Sequence, residues 1–171
     1  RLRTAKLQNK VYFREMKKLN NVLLCIGGNI GDRMANMDEA RMFISFNFGE
    51  ILQCSSVTET APWGMSENTP PFLNQVILIE TTLTPAELWF EIEELEEYFG
   101  RERGGEGYKN REMDVDVLSF NNEILETEHI QTPHPRMHER LFVLDLVKEV
   151  VPDFVHPTLH KTLDELRADL L

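Results

Sequence analysis

Apolar residues along the chain gather into short runs punctuated by glycine, proline and polar clusters. In "NVLLCIGGNIGD", residues 21–32, Val22 to Ile26 form a continuous apolar run of strand length, and Gly27, Gly28 and Gly31 break it in a turn where backbone can approach a ligand or another segment. From about Arg33 to Phe46 the spacing becomes helical, with Met37, Ala40, Phe43 and Ile44 on one stripe. A strand is expected within Gln53 to Thr58. An irregular connection, "TETAPWGMSENTPPFLN", follows; Pro62, Pro70 and Pro71 oppose regular structure there, while Trp63 and Phe72 add large aromatic surfaces. Asn74 to Glu80 alternates too weakly for a one-sided strand and predicts burial on both faces.

The next segment, "TPAELWFEIEELEEYFG", carries agreeing helix signals. Thr84 caps, Pro85 opens the first turn, Glu87 closes a capping box, Leu88, Ile92, Leu95 and Phe99 form the seam, and Gly100 terminates. A glycine-rich stretch, 100–110, leads into "REMDVDVLSF", residues 111–120, expected as a central strand. Met137 to Val150 repeat the helical spacing, and Thr162 with Glu165 predicts a short final helix containing Leu163, Leu166 and Leu170. Strands separated by helices predict an α/β (α+β) sandwich.

The length of 171 residues fits one domain, expected over 21–171. Residues 1–20 read as a basic, loosely attached extension, with Arg1, Arg3, Lys6, Lys10, Arg14, Lys17 and Lys18 against Glu15. The chain as a whole is acidic, 29 Asp or Glu against 18 Lys or Arg and a net charge of -11, so its overall field does not attract nucleic acid or anionic membrane. Any polyanion site must be a local basic cluster or a bound cation. Cys25 and Cys54 lack metal-ligand spacing and read as two buried thiols of a cytoplasmic protein. No run approaches the roughly 18 apolar residues of a membrane span.

Asp114 and Asp116 stand two positions apart, so in a strand they share one face while Val115 and Val117 enter the other. The pair fits a solvated strand end, or partnership with arginines, or a hard divalent cation such as magnesium, which takes one or two carboxylates together with substrate phosphates. Their surroundings favour the cation. Upstream, "GRERGGEGYKNR" places Arg101, Arg103, Lys109 and Arg111 among glycines; downstream, "TPHPRMHERLF" adds His134, Arg136, His138 and Arg140. Guanidinium forks hold phosphate oxygens bidentately. The prolines oppose the helix that His134 and His138 would need for a zinc site, and His156 and His160 read as surface residues. Neither "GGNIGD" nor "GRERGGEG" is a lysine-ending phosphate loop or a dinucleotide fingerprint.

Taken in order, "IGGNIGD", "TETAPWG", "PFLN", "GRERGGEGYKNREMDVDVL" and "TPHPRMHERLFVL" resemble the 6-hydroxymethyl-7,8-dihydropterin pyrophosphokinase family over about residues 21–168. The resemblance implies a ferredoxin-like sandwich with a mainly antiparallel sheet. It implies transfer of pyrophosphate from ATP to the hydroxymethyl oxygen of a reduced pterin, with release of AMP. Asp114 and Asp116 match acids holding two magnesium ions. Arg101, Arg103 and Arg111 match basic positions that contact ATP or move with the catalytic loop; Glu96, His134 and Arg140 match the nucleotide side. Thr60, Ala61, Trp63, Phe72, Asn74, Tyr108, Asp114 and Phe142 match the pterin side. No nucleic acid, membrane or obligate protein partner is expected.

Departures from the family pattern concern packing more than chemistry. Gly28 stands where serine is frequent, a change expected to leave backbone function intact. Phe72 and Tyr108 replace a tyrosine and a tryptophan, and Pro135 replaces a tyrosine. Two further readings compete: a silent domain that kept the fold, opposed by the acids, Arg111, His134 and Arg140, and another magnesium-dependent phosphotransferase, opposed by Asn74 with Phe142.

Overall fold

The computed structural model describes residues 18–62, 68–100 and 110–171. Among these, β1 (Asn20–Gly28), α1 (Arg33–Asn47), β2 (Glu50–Cys54), β3 (Thr58–Thr60), β4 (Phe72–Thr81), α2 (Pro85–Tyr98) and β5 (Asp114–Phe120) follow in chain order. A small hairpin, β6 (Leu125–Glu126) with β7 (Gln131–Thr132), then leads to a 3-10 turn at Met137–Glu139, α3 (Leu141–Val150) and α4 (Leu163–Ala168). The sheet is ordered β2-β4-β1-β5, with β3 also on β4, and the described pairings are antiparallel. Two βαβ halves interleaved so that β1 and β4 lie side by side in the centre give the expected ferredoxin-like sandwich.

Central position explains the apolar runs. In β1 every residue but Asn21 is buried, because helices cover both faces of the sheet. Val22, Leu24, Ile26, Ile77, Ile79, Val115 and Val117 pack with α1 and α2. Leu23, Cys25, Val76 and Leu118 pack with α3 and α4. Each fully buried aliphatic side chain contributes about 1.5–3 kcal/mol. Helix α2 has the predicted capping box at Thr84 and Glu87, and Gly100, at φ +79°, ends it. The box at Thr162 and Glu165 starts α4.

Several expectations are corrected. The strand placed within Gln53 to Thr58 is two strands, since the Ser55 hydroxyl accepts from Val76 N at 2.9 Å and the Ser55 carbonyl accepts from Gln75 Nε2 at 2.7 Å. These side-chain bonds interrupt the ladder between β2 and β3. The ends of the connection expected to be irregular belong to β3 and β4. The helix expected over Met137 to Val150 breaks at Arg140, whose backbone is extended at φ -116° and ψ 101°. Asn20, assigned to the extension, is already a buried residue of β1, paired with Thr81. Cys54 is only half-buried and Leu170 is exposed. His156, expected on the surface, is buried, with Nδ1 accepting from Thr158 N and Leu159 N at 3.3 and 3.1 Å.

Candidate active site

At the Gly28 end of the sheet a cleft of about 510 Å³ opens on the α3 face. Its floor is β1 at Cys25, Ile26 and Gly27; β5 supplies Asp114 and Asp116, the β3–β4 pair Thr60, Ala61, Phe72 and Asn74, and the segment entering α3 His134, Arg136, Glu139, Arg140, Leu141 and Phe142. The alternation of β5 places the acids here and sends Val115 and Val117 into the opposite core. Each carboxylate keeps about a third of its side-chain surface open, 32% for Asp114 and 35% for Asp116.

One end of the cleft is charged. Arg111 Nη1 lies 2.6 Å from Asp114 Oδ1, and Arg140 Nη1 lies 3.6 Å from Asp116 Oδ2. Burial and the neighbouring Asp114 push the Asp116 carboxyl above its usual range, and this outweighs the pull of His134, Arg140 and Arg111. His134 Nε2 faces Asp116 Oδ1 at 3.8 Å, while its Nδ1 accepts from Arg136 N at 3.1 Å. That bond leaves the proton of the neutral ring on Nε2. Burial holds the His134 pKa below the ordinary histidine value, so near neutral pH this group is an N–H donor aimed into the cleft and not a cation.

The lining contributed by β3, β4 and Phe142 carries no charged side chain. Asn74 Nδ2 donates to Thr60 Oγ1 at 2.8 Å, fixing the amide in the cleft that Phe72 and Phe142 also line. Gly27 permits this arrangement: a Cβ there would lie 2.7 Å from both Asn74 Oδ1 and Leu73 O. Cys25 on the floor is buried, and its pKa is driven upward by burial, so it is a packing thiol and not a nucleophile.

The cleft thus gathers Arg111, Asp114, Asp116, His134 and Arg140 with Thr60, Ala61, Phe72, Asn74 and Phe142. Trp63, Arg101, Arg103 and Tyr108 lie outside the described residues. Glu96 stands in the other layer, does not line the cleft, and is 4% exposed. Its Oε1 accepts from Val115 N at 3.2 Å, the backbone amide between the two aspartates. Arg136, read in the sequence only as part of the basic cluster, and Glu139, given no role there, pair at 3.2 Å on the cleft wall. Only their place beside His134 and Arg140 hinted at it. Gly28 is also more than a neutral replacement, because a Cβ there would meet Glu112 O at 2.0 Å.

Two carboxylates on one partly open strand face suit magnesium, which keeps water and phosphate oxygens as ligands. Among the described residues no group of three or more His, Cys, Asp and Glu forms a closed metal cage. No helix among them is long and apolar enough to cross a membrane.

Residues 23–152 match the family described as 7,8-dihydro-6-hydroxymethylpterin-pyrophosphokinase. The 2-amino-4-hydroxy-6-hydroxymethyldihydropteridine pyrophosphokinase of Aquifex aeolicus is 35% identical over 150 residues, covering 86% of this chain and 91% of its own. The Bacillus subtilis protein of the same name is 38% identical over 134 residues, covering 77% and 79%. Among solved structures, the wild-type HPPK-DHPS of Plasmodium falciparum superposes with a TM-score of 0.69 at 16% identity, over 91% of this chain and 45% of that one. The likeness in fold therefore spans just under half of the longer Plasmodium chain. On the family match and the two bacterial relatives, the chain belongs to the 7,8-dihydro-6-hydroxymethylpterin-pyrophosphokinase family.

Proposed function

We propose that the cleft carries out the family reaction with ATP as donor and reduced 6-hydroxymethylpterin as acceptor, in folate biosynthesis. The observation that carries this reading is the meeting of two different chemistries in one cleft. Paired acids with Arg111, Arg140 and His134 line one part of it, and an asparagine amide fixed by Thr60, together with Phe72 and Phe142, lines another. Aromatic faces bind a flat heterocycle, and the Asn74 amide with the backbone near Thr60 and Ala61 selects its polar edge. In the reaction the hydroxymethyl oxygen forms a bond to the β-phosphorus as the bond from that phosphorus to the AMP oxygen breaks, and the hydroxyl proton is released.

Asp114 and Asp116 would hold magnesium, with two ions expected alongside ATP. When bound, magnesium neutralises the triphosphate and orients the β-phosphorus for in-line attack. Arg111 and Arg140 lie against the acids in the free protein and are placed to exchange those carboxylates for phosphate oxygens. His134 is placed to donate from Nε2 to a phosphate oxygen. Glu96 holds the edge of β5 through Val115 and so fixes the spacing of the acids. The transfer needs positioning and charge stabilisation, with no covalent nucleophile. The free thiols Cys25 and Cys54 suit a reducing, cytoplasmic setting.

Incubating the protein with ATP, magnesium and the reduced hydroxymethylpterin tests the reading. Equal amounts of AMP and pterin pyrophosphate are expected. ADP in place of AMP would make it an ordinary kinase, and nucleotide binding without turnover a silent domain.

A further inference from the structure

The turn after β1 carries a buried polar side chain that does not line the cleft. Asn29 is 2% exposed and joins three chain segments. Its Oδ1 accepts from Arg111 N at 2.8 Å. Its Nδ2 donates to Asn110 Oδ1 at 2.8 Å and to Pro70 O at 3.2 Å. Its own backbone N donates to Arg111 O at 2.8 Å. One residue therefore brackets the Arg111 peptide from both sides and ties it to the segment that leads into Phe72 and Asn74.

Only an amide meets these demands. The site needs one acceptor facing an N–H and two donors facing oxygens within a single short side chain. Aspartate would set an oxygen against Pro70 O and Asn110 Oδ1, and alanine would leave the partly buried Arg111 N–H without its acceptor. Gly28 makes the approach possible, because a Cβ there would lie 3.1 Å from Arg111 O as well as 2.0 Å from Glu112 O. The arginine so fixed is the one whose guanidinium lies 2.6 Å from Asp114.

Resting on the proposed reaction, we infer that Asn29 is a positioning residue for that reaction, acting through Arg111 on the nucleotide. Outer partners that orient the side chains around a metal commonly account for about 10–100-fold in affinity or activity, and the same scale is expected for a group that orients a phosphate-binding arginine. Asn29→Ala is expected to lower kcat/KM for ATP by about that factor, mainly through the nucleotide KM, with a smaller change in the pterin KM.

The test is a double-mutant cycle on magnesium–ATP kinetics, comparing Asn29→Ala, Arg111→Ala and the double variant, with unfolding midpoints measured for each. If Asn29 works through Arg111, the double variant loses no more than Arg111→Ala alone. Losses that multiply would overturn the inference, as would equal changes in the KM values of ATP and pterin. Thr162→Ala, a destabilising change remote from the cleft, supplies the comparison for a purely structural effect and is expected to leave both KM values unchanged. Should Asn29→Ala not fold, Asn110→Ala removes a single bond and enters the same cycle, with the same two outcomes. Absence of AMP formation by the parent protein would instead refute the reaction itself, and so separates the two failures.

Discussion

Two faces of one strand behave differently in this molecule. On the α1/α2 side of β5, Val115 and Val117 are 5% and 8% exposed in a continuous apolar core. On the α3 side, Asp114 and Asp116 alternate directly with those valines in sequence, yet look into an open cleft between Arg111 and Arg140. The pleat is what makes this possible: a period of two lets the same short segment be anchored on one side and charged on the other. Rigid backbone then holds the acids at a fixed spacing, with Glu96 gripping the amide between them from the dry side. Stability and chemistry should therefore be separable by substitutions only a few residues apart.

The sharpest test is Asp116→Asn. It keeps the shape and removes the charge, so kcat should fall by roughly 10²–10³-fold or more, the scale seen when a transition-state contact is lost. Because burial already works against this carboxylate, the unfolding free energy should change by less than about 1 kcal/mol. Turnover equal to the parent at saturating magnesium would show that the wet face is not where metal is held.

The converse change is Leu95→Ala in the dry layer, where the side chain is fully buried. A loss of about 2–5 kcal/mol in unfolding free energy is expected, with kcat per folded molecule preserved. If kcat collapsed together with stability, the two faces would not be independent. A smaller effect sharpens the same contrast: Thr162→Ala removes the capping box of α4 and should cost about 1 kcal/mol with kcat intact. Chemical denaturation and steady-state kinetics on the same preparations measure both quantities.

What the sequence made legible follows the same division. The apolar run of β1, the two-sided burial of β4 and the cap, seam and stop of α2 are local signals, and each element formed where its pattern lay. Asp114 and Asp116 were legible as a same-face pair, and the order of the motifs brought His134, Arg140, Asn74 and Phe142 to one place. Long-range bonds account for much of what was missed. Ser55 divides a strand by accepting from Val76 N, 21 residues away, and a serine between Cys54 and Ser56 carries no sign of that. Helical spacing continues through Arg140, but the residue is extended and its side chain turns toward Asp116. Asn29 looks like any turn asparagine until Arg111, 82 residues on, closes on it. A glycine at 28 likewise does not reveal which backbone approaches it.

The α3 side is itself divided between the open cleft and a second core, and His156 tests where the boundary lies. Its ring is buried beside His138, with centroids 5.6 Å apart and planes at 85°. Nδ1 accepts from two backbone N–H groups, so protonation there would set three hydrogens against one another. Burial lowers the His156 pKa below 6.5, and the nearby His138 and His160 lower it further. The unfolded chain therefore takes up this proton more readily than the folded one. The contribution of His156 to stability is complete above about pH 6.5 and is lost as pH falls toward the folded-state value. His134 shifts in the same direction, so the comparison must be with a variant. In His156→Asn, whose side-chain oxygen can still accept from nearby backbone N–H groups, the fall in unfolding free energy between pH 7 and pH 5 should be smaller than in the parent. Equal slopes in the two proteins would place His156 on the wet side of the boundary and leave the second core without its histidine.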